Sequence, residues 1–93
     1  MNNVYLLNID PNSVYDLDLL KKQLDICNDW TRPFACTYLL YTTADVDRLY
    51  QRFKKALPDN KFLINKLNLQ EDQYNGWLKP RTWDRIKEFK AKE

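Results

Sequence analysis

Residues 37–69 constrain this chain more than any other stretch, because within them the hydrophobic period changes from two to 3.6 and back. Thr37-Tyr38-Leu39-Leu40-Tyr41-Thr42 is β-branched, aromatic and aliphatic with no breaker inside it, which predicts a strand. Thr42 or Thr43 can then act as an N-cap, and Asp45 and Asp47 put negative charge where a helix dipole favours it. Val46, Leu49, Tyr50, Phe53 and Leu57 follow at i, i+3, i+4, i+7 and i+11, a single apolar face. Lys54 and Lys55 suit a C-terminal turn and Pro58 stops the helix. After the Asp59-Asn60 turn, Lys61 to Leu67 reads as a second strand, apolar on both faces.

The flanking segments extend this unit. Val4 to Ile9 is an apolar run of strand length, ended by Asp10-Pro11-Asn12-Ser13, where Pro fixes φ and the Asx side chains bond nearby backbone. Ser13 with Asp16 can cap a helix reaching about Asn28. Its main stripe is Leu17, Leu20, Leu24 and Cys27; a second, Tyr15, Leu19 and Ile26, falls on nearly the opposite side of the wheel. Such a helix either packs between two layers or meets a partner chain, unless Leu19 and Ile26 are simply tolerated in solvent. Trp30 to Phe34 reads as a short edge strand, because Pro33 cannot donate to a ladder. From about residue 74 a tail begins, with Pro80 suited to the first position of a last helix on which Trp83, Ile86 and Phe89 share a face.

Composition removes whole classes of chemistry. There is no histidine, so histidine-based general bases, Ser-His-Asp triads and the usual zinc sites are out of reach. With only one glycine, Gly76, the chain cannot build a glycine-rich phosphate loop. Apolar residues at 44%, including three Trp, six Tyr and four Phe, are enough to fill one core in 93 residues, so residues 1–93 form a single domain. A net charge of +2 means that any electrostatic footprint must come from local clustering. Cys27 and Cys36 read as thiols, and the opening MNNVYLLNID has no basic leader and no membrane-length apolar run. The expectation is a cytoplasmic protein without membrane contact.

The order strand, helix, short strand, strand, helix, strand, tail points to α+β class: a ferredoxin-like βαββαβ domain with an antiparallel sheet, both helices on one face and a C-terminal helical extension. A three-stranded parallel sheet is the competitor if residues 30–34 are loop. The face away from the two helices needs a cover, either the tail or a second subunit, and a homodimer is therefore expected.

Tyr5-Leu6-Leu7-Asn8-Ile9-Asp10 resembles the first strand of the small CRISPR adaptation nuclease superfamily. Residues 43–58 leading into Phe62 to Leu67, and Gly76-Trp77-Leu78 followed by Trp83-Asp84-Arg85-Ile86, resemble its SinR-like branch, a set of small bacterial proteins. The resemblance implies a ferredoxin-like fold and, at Asp10, a carboxylate paired across a dimer to hold Mg²⁺ or Mn²⁺ near phosphate. Unlike the nucleases, this chain has Ile9 where an aromatic residue tends to precede the aspartate. Asp10 read on its own is an ordinary turn and capping residue.

Three functional readings remain. The first is a non-catalytic, homodimeric binding protein that takes nucleic acid through Arg32, Arg48, Arg52, Lys55, Lys61, Lys66 and Arg81, with Trp77 or Trp83 available for stacking and no cofactor. Against it stands a solvated helix face whose charge Asp45, Asp47 and Asp59 offset. The second is a metal-dependent nuclease centred on Asp10. The third is a regulator or inhibitor linked to phage or defence systems that binds a host protein, with Tyr15, Leu19, Ile26, Trp77 and Trp83 as interface residues.

Overall fold

The computed structural model describes residues 2–12, 14–71 and 74–92. In chain order it contains β1 (Asn3–Ile9), α1 (Leu17–Leu24), β2 (Asp29–Phe34), β3 (Thr37–Thr42), α2 (Val46–Ala56), β4 (Phe62–Leu67), a 3₁₀ turn (Leu69–Glu71) and α3 (Pro80–Lys92). The four strands form one antiparallel sheet in the order β2-β3-β1-β4. This is the ferredoxin-like α+β arrangement, and the three-stranded parallel alternative is set aside.

Register sorts the side chains of the two central strands. Tyr5 lies opposite Leu40 and Leu7 opposite Tyr38, on the side covered by α1 and α2; Val4 opposite Tyr41 and Leu6 opposite Leu39 point the other way. Because both sides are covered, β1 and β3 are apolar at nearly every position, the pattern of a strand buried on two faces. On the first side Leu20, Leu24 and Cys27 from α1 and Leu49, Phe53, Ala56 and Leu57 from α2 close the main core. On the second side Ile86 and Phe89 from α3 pack with Val4, Leu39, Tyr41 and Leu69, and the Phe89 ring stacks on Tyr41 at 5.4 Å. The tail therefore covers its own sheet, the position that sequence reasoning left open to a second subunit.

The caps differ in detail from expectation. Ser13 lies outside the described residues; Asp16 caps α1, its Oδ1 accepting from the N–H groups of Asp18 and Leu19. The helix proper ends at Leu24 and not near Asn28, yet Cys27 still reaches the core because its N–H turns back to the Leu24 carbonyl at 3.0 Å. On α2 the cap is Asp45, which accepts from the Arg48 N–H at 2.8 Å, and not Thr42 or Thr43. A carboxylate in extended backbone satisfies that orphan donor and adds charge at the positive end of the helix dipole. Val46 and Tyr50 stand at the margin of the expected core face, 42% and 53% exposed, with Tyr50 stacked on Phe62.

Two tyrosines inside the main core are held neutral. The Tyr5 hydroxyl donates to the Ala44 carbonyl at 3.0 Å, and burial pushes its phenol above the usual value. Tyr38 is shifted upward as well, first by burial and then by the Tyr15 hydroxyl 3.4 Å away. Cys27 and Cys36 are both free thiols, and burial raises the Cys27 pKa. No described helix is long and apolar enough to cross a membrane.

Candidate nucleic-acid interface

The basic residues singled out from the sequence divide into separate groups. Arg48, Arg52 and Lys55 stay on α2, which packs against α1 and β4. Arg48 and Lys55 are exposed and Arg52 half-buried, so this group is a convex helix face with the aqueous screening that implies. Lys66 sits on β4, across from Tyr5, and Lys61 precedes that strand beside Asp10. None of these positions is among the described residues lining the cleft that holds Arg32 and Arg81.

Arg32 and Arg81, by contrast, line one cleft. β2 is an edge strand, and α3 packs along it, so that Trp30, Thr31 and Arg32 face Arg81, Thr82 and Arg85 across a cleft of about 490 Å³. Pro33 explains why this edge is open. Pairing of β2 with β3 is regular from Asp29 to Thr31, breaks, and resumes only at Phe34 opposite Thr37. Proline has no N–H for a ladder, and an irregular edge is poorly suited to accept another strand. Arg32 is oriented by its own turn: Nε and Nη2 donate to the Ala35 carbonyl, and its guanidinium lies 5.4 Å from the Tyr38 ring centroid.

Arg85, which sequence reasoning overlooks, anchors the other wall. Its guanidinium pairs with Asp29, donates to the Trp30 carbonyl at 3.3 Å and contacts Glu88 at 2.5 Å. Lys92 adds a second cation to Asp29 at 3.4 Å. Burial alone would raise the Asp29 pKa, but the Arg85 hydrogen bond, the Trp30 N–H, the Arg85 charge and Lys92 outweigh it and hold the carboxyl below its usual range. This partly buried network ties α3 to β2 and consumes much of Arg85's charge. Arg81, on an exposed turn of α3, makes no ion pair among the described residues, so Arg81 and Arg32 supply the cationic character of the cleft. The spacing of Arg81 and Arg85 at i and i+4 is the signal that could have marked the pair.

The aromatic candidates separate as well. Trp83 is half-buried and packs on the α3 side of the sheet, with Leu78 and Tyr74 beside it. Trp77 is 97% exposed. Trp30, whose indole N–H donates to Asp25 at 3.0 Å, leans on Tyr38 at the margin of the main core. Of the expected interface residues on the helical layer, Leu19 and Ile26 are 45% and 53% exposed, while Tyr15 is half-buried against the core. Between the sheet and the tail lies an apolar hollow of about 230 Å³, walled by Tyr74 to Gly76 and Leu78 and by Trp83 and Ile86 of α3.

At Asp10 the geometry is that of a turn. Oδ1 accepts from the Asn12 N–H at 2.9 Å, and the Asp10 N–H donates to the Lys61 carbonyl. The neighbouring side chains are Asn8, whose Oδ1 accepts from the Thr37 hydroxyl, and the cationic Lys61. A divalent hard cation takes several oxygen ligands, and one carboxylate beside a lysine does not supply them within one chain. No group of three or more His, Cys, Asp or Glu side chains that could hold a metal ion occurs among the described residues.

Compared with known proteins, the chain has no significant match to a family model, a curated protein or a solved structure.

Proposed function

We propose that this protein binds nucleic acid without transforming it, and that the arginine cleft between β2 and α3 holds the phosphate backbone. The observation that carries this reading is the convergence of Arg32 and Arg81 from two elements distant in sequence onto one concave surface. Guanidinium groups donate in a fork that matches phosphate geometry, and a cleft with low-dielectric walls focuses their field more than a convex helix does. The Asp29–Arg85–Lys92 network supports it by fixing the wall of the cleft independently of ligand.

The test is a salt titration of binding to labelled nucleic acid. Affinity should fall steeply with salt, and Arg32→Glu with Arg81→Glu should weaken binding by about tenfold or more at low salt and flatten the salt slope by about two. Arg48→Glu with Arg52→Glu should leave affinity within about twofold. Absence of binding at low salt would overturn the reading.

Self-association is a separate proposal, supported by the exposed Leu19 and Ile26 on α1. Sedimentation should find a dimer that Leu19→Glu with Ile26→Glu returns to a monomer. A wild-type monomer at high concentration would refute it.

A further inference from the structure

Beside the arginine cleft, the same two chain segments form a second surface of different chemistry. Pro33 and Phe34 follow Arg32 directly, and Trp77, Leu78, Lys79 and Pro80 lead directly into Arg81. These six residues line an open cleft of about 360 Å³. Phe34 is 56% exposed and Trp77 97% exposed, although both are large apolar rings that would gain by burial. An isolated exposed aromatic residue calls for no explanation. Two of them in one cleft, with a lysine at its rim and arginines next to it, are a different matter.

We infer that this cleft takes unpaired bases, so that the preferred ligand is single-stranded nucleic acid, with bases stacking on Trp77 and Phe34 while Arg32 and Arg81 hold the adjoining phosphates. The inference deepens the proposed function and rests on it. The choice of occupant follows from charge complementarity. An apolar peptide would satisfy the aromatic cleft but leave Arg32 and Arg81 without a counter-charge, whereas a nucleic-acid strand carries π-faces and phosphates in alternation along one chain. A duplex supplies the phosphates but keeps its base faces stacked inside. Stacking platforms beside cationic grooves are the general solution for single strands, and they are tolerant of sequence because every base has a π-face.

The backbone geometry is compatible with such a role. Phe34 ends an edge strand at its irregular pairing with Thr37, so its ring is not sandwiched by another strand. The Trp77 loop is held at its base by Leu78 and Tyr74 in the second core, which leaves the indole itself outside. Trp77 can therefore be removed without opening a cavity, whereas Phe34 also lines the apolar hollow beneath the tail and removing it widens that hollow.

The experiment is fluorescence anisotropy with a labelled oligothymidylate and with a labelled duplex of equal length, using the full chain. Wild type should prefer the single strand. Trp77→Ala and Phe34→Ala should each weaken single-strand binding by roughly tenfold, the size expected for the loss of one base–aromatic stack, and leave duplex binding unchanged. Arg81→Glu should weaken both. Equal affinity for the two probes, or alanine variants that bind the single strand as wild type does, would overturn this inference while leaving the phosphate cleft intact. If wild type binds neither probe, the proposed function fails and this inference fails with it. Far-ultraviolet circular dichroism of each variant, expected to match wild type, excludes misfolding as the cause of a loss.

Discussion

The outer face of α2 and the cleft between β2 and α3 are both cationic, but they come from different kinds of order. On α2, Arg48, Arg52 and Lys55 are neighbours because a helix repeats every 3.6 residues, so their proximity is local and independent of what the rest of the chain does. Arg32 and Arg81 share a cleft only because α3 folds back along β2, tied there by Arg85 to Asp29 and by Phe89 on Tyr41. The first surface is convex and solvated; the second is concave, braced and joined to exposed aromatic rings. Cationic side chains thus make a solvating face in one place and a candidate site in the other, and tertiary contact decides which.

The sharpest way to break the comparison is to detach α3. Phe89 is fully buried against Tyr41, so Phe89→Ala should cost about 3–5 kcal/mol in denaturant-induced unfolding. If the variant still folds, it should lose the cleft's contribution to nucleic-acid binding while the α2 surface is unchanged. A Phe89→Ala protein of wild-type stability would mean that α3 is not the cover of this face.

A smaller effect should follow from pH. Because the Asp29 pKa is depressed in the folded state, its contribution to stability is complete above the unfolded value of about 3.9 and is lost as pH falls through the folded one. Acid unfolding followed by circular dichroism should show this loss below about pH 4, and Asp29→Asn should flatten that limb while lowering stability at neutral pH. At the alkaline end the sign reverses. Tyr5 and Tyr38 have raised pKa values, so the stability they contribute is present below about pH 10 and declines as pH rises toward their folded values. Tyr38→Phe should flatten the alkaline limb. It should lower neutral stability only modestly, by about 1 kcal/mol or less, because the hydroxyl contact with Tyr15 is long at 3.4 Å.

These contrasts also explain what could be read from the sequence. β3, α2 and β4 are legible because each is an unbroken pattern, with Pro58 closing the helix; its start reads as Thr42 or Thr43 where Asp45 is the cap, because Thr and Asp both cap well. The edge strand at 29–34 is legible through Pro33, and its opposition to β3 follows from the short connection. Arg32 and Arg81 are recognisable as cations, but nothing local says that they line one cleft. Their sharing of one cleft depends on Leu69 and Leu78, which turn back onto the sheet, and on α3 packing along β2. Arg85 escapes notice because its role is fixed by Asp29 and Trp30, the latter 55 residues away. Phe34 escapes because Pro33 marks the strand as an edge but says nothing of whether its last ring is covered or exposed. On α1 the opposite happens: Leu17 falls on the predicted buried stripe, yet 47% of it is exposed, because it stands in the first turn at the rim of the core.

The central claim is that the cleft, and not the helix face, receives nucleic acid. Amide chemical-shift mapping of the full chain during titration with a single-stranded oligothymidylate tests it most directly. Saturable shifts are expected on residues 31–35 and 77–85, with residues 48–55 of α2 unmoved. Shifts concentrated on α2, with the cleft silent, would contradict it.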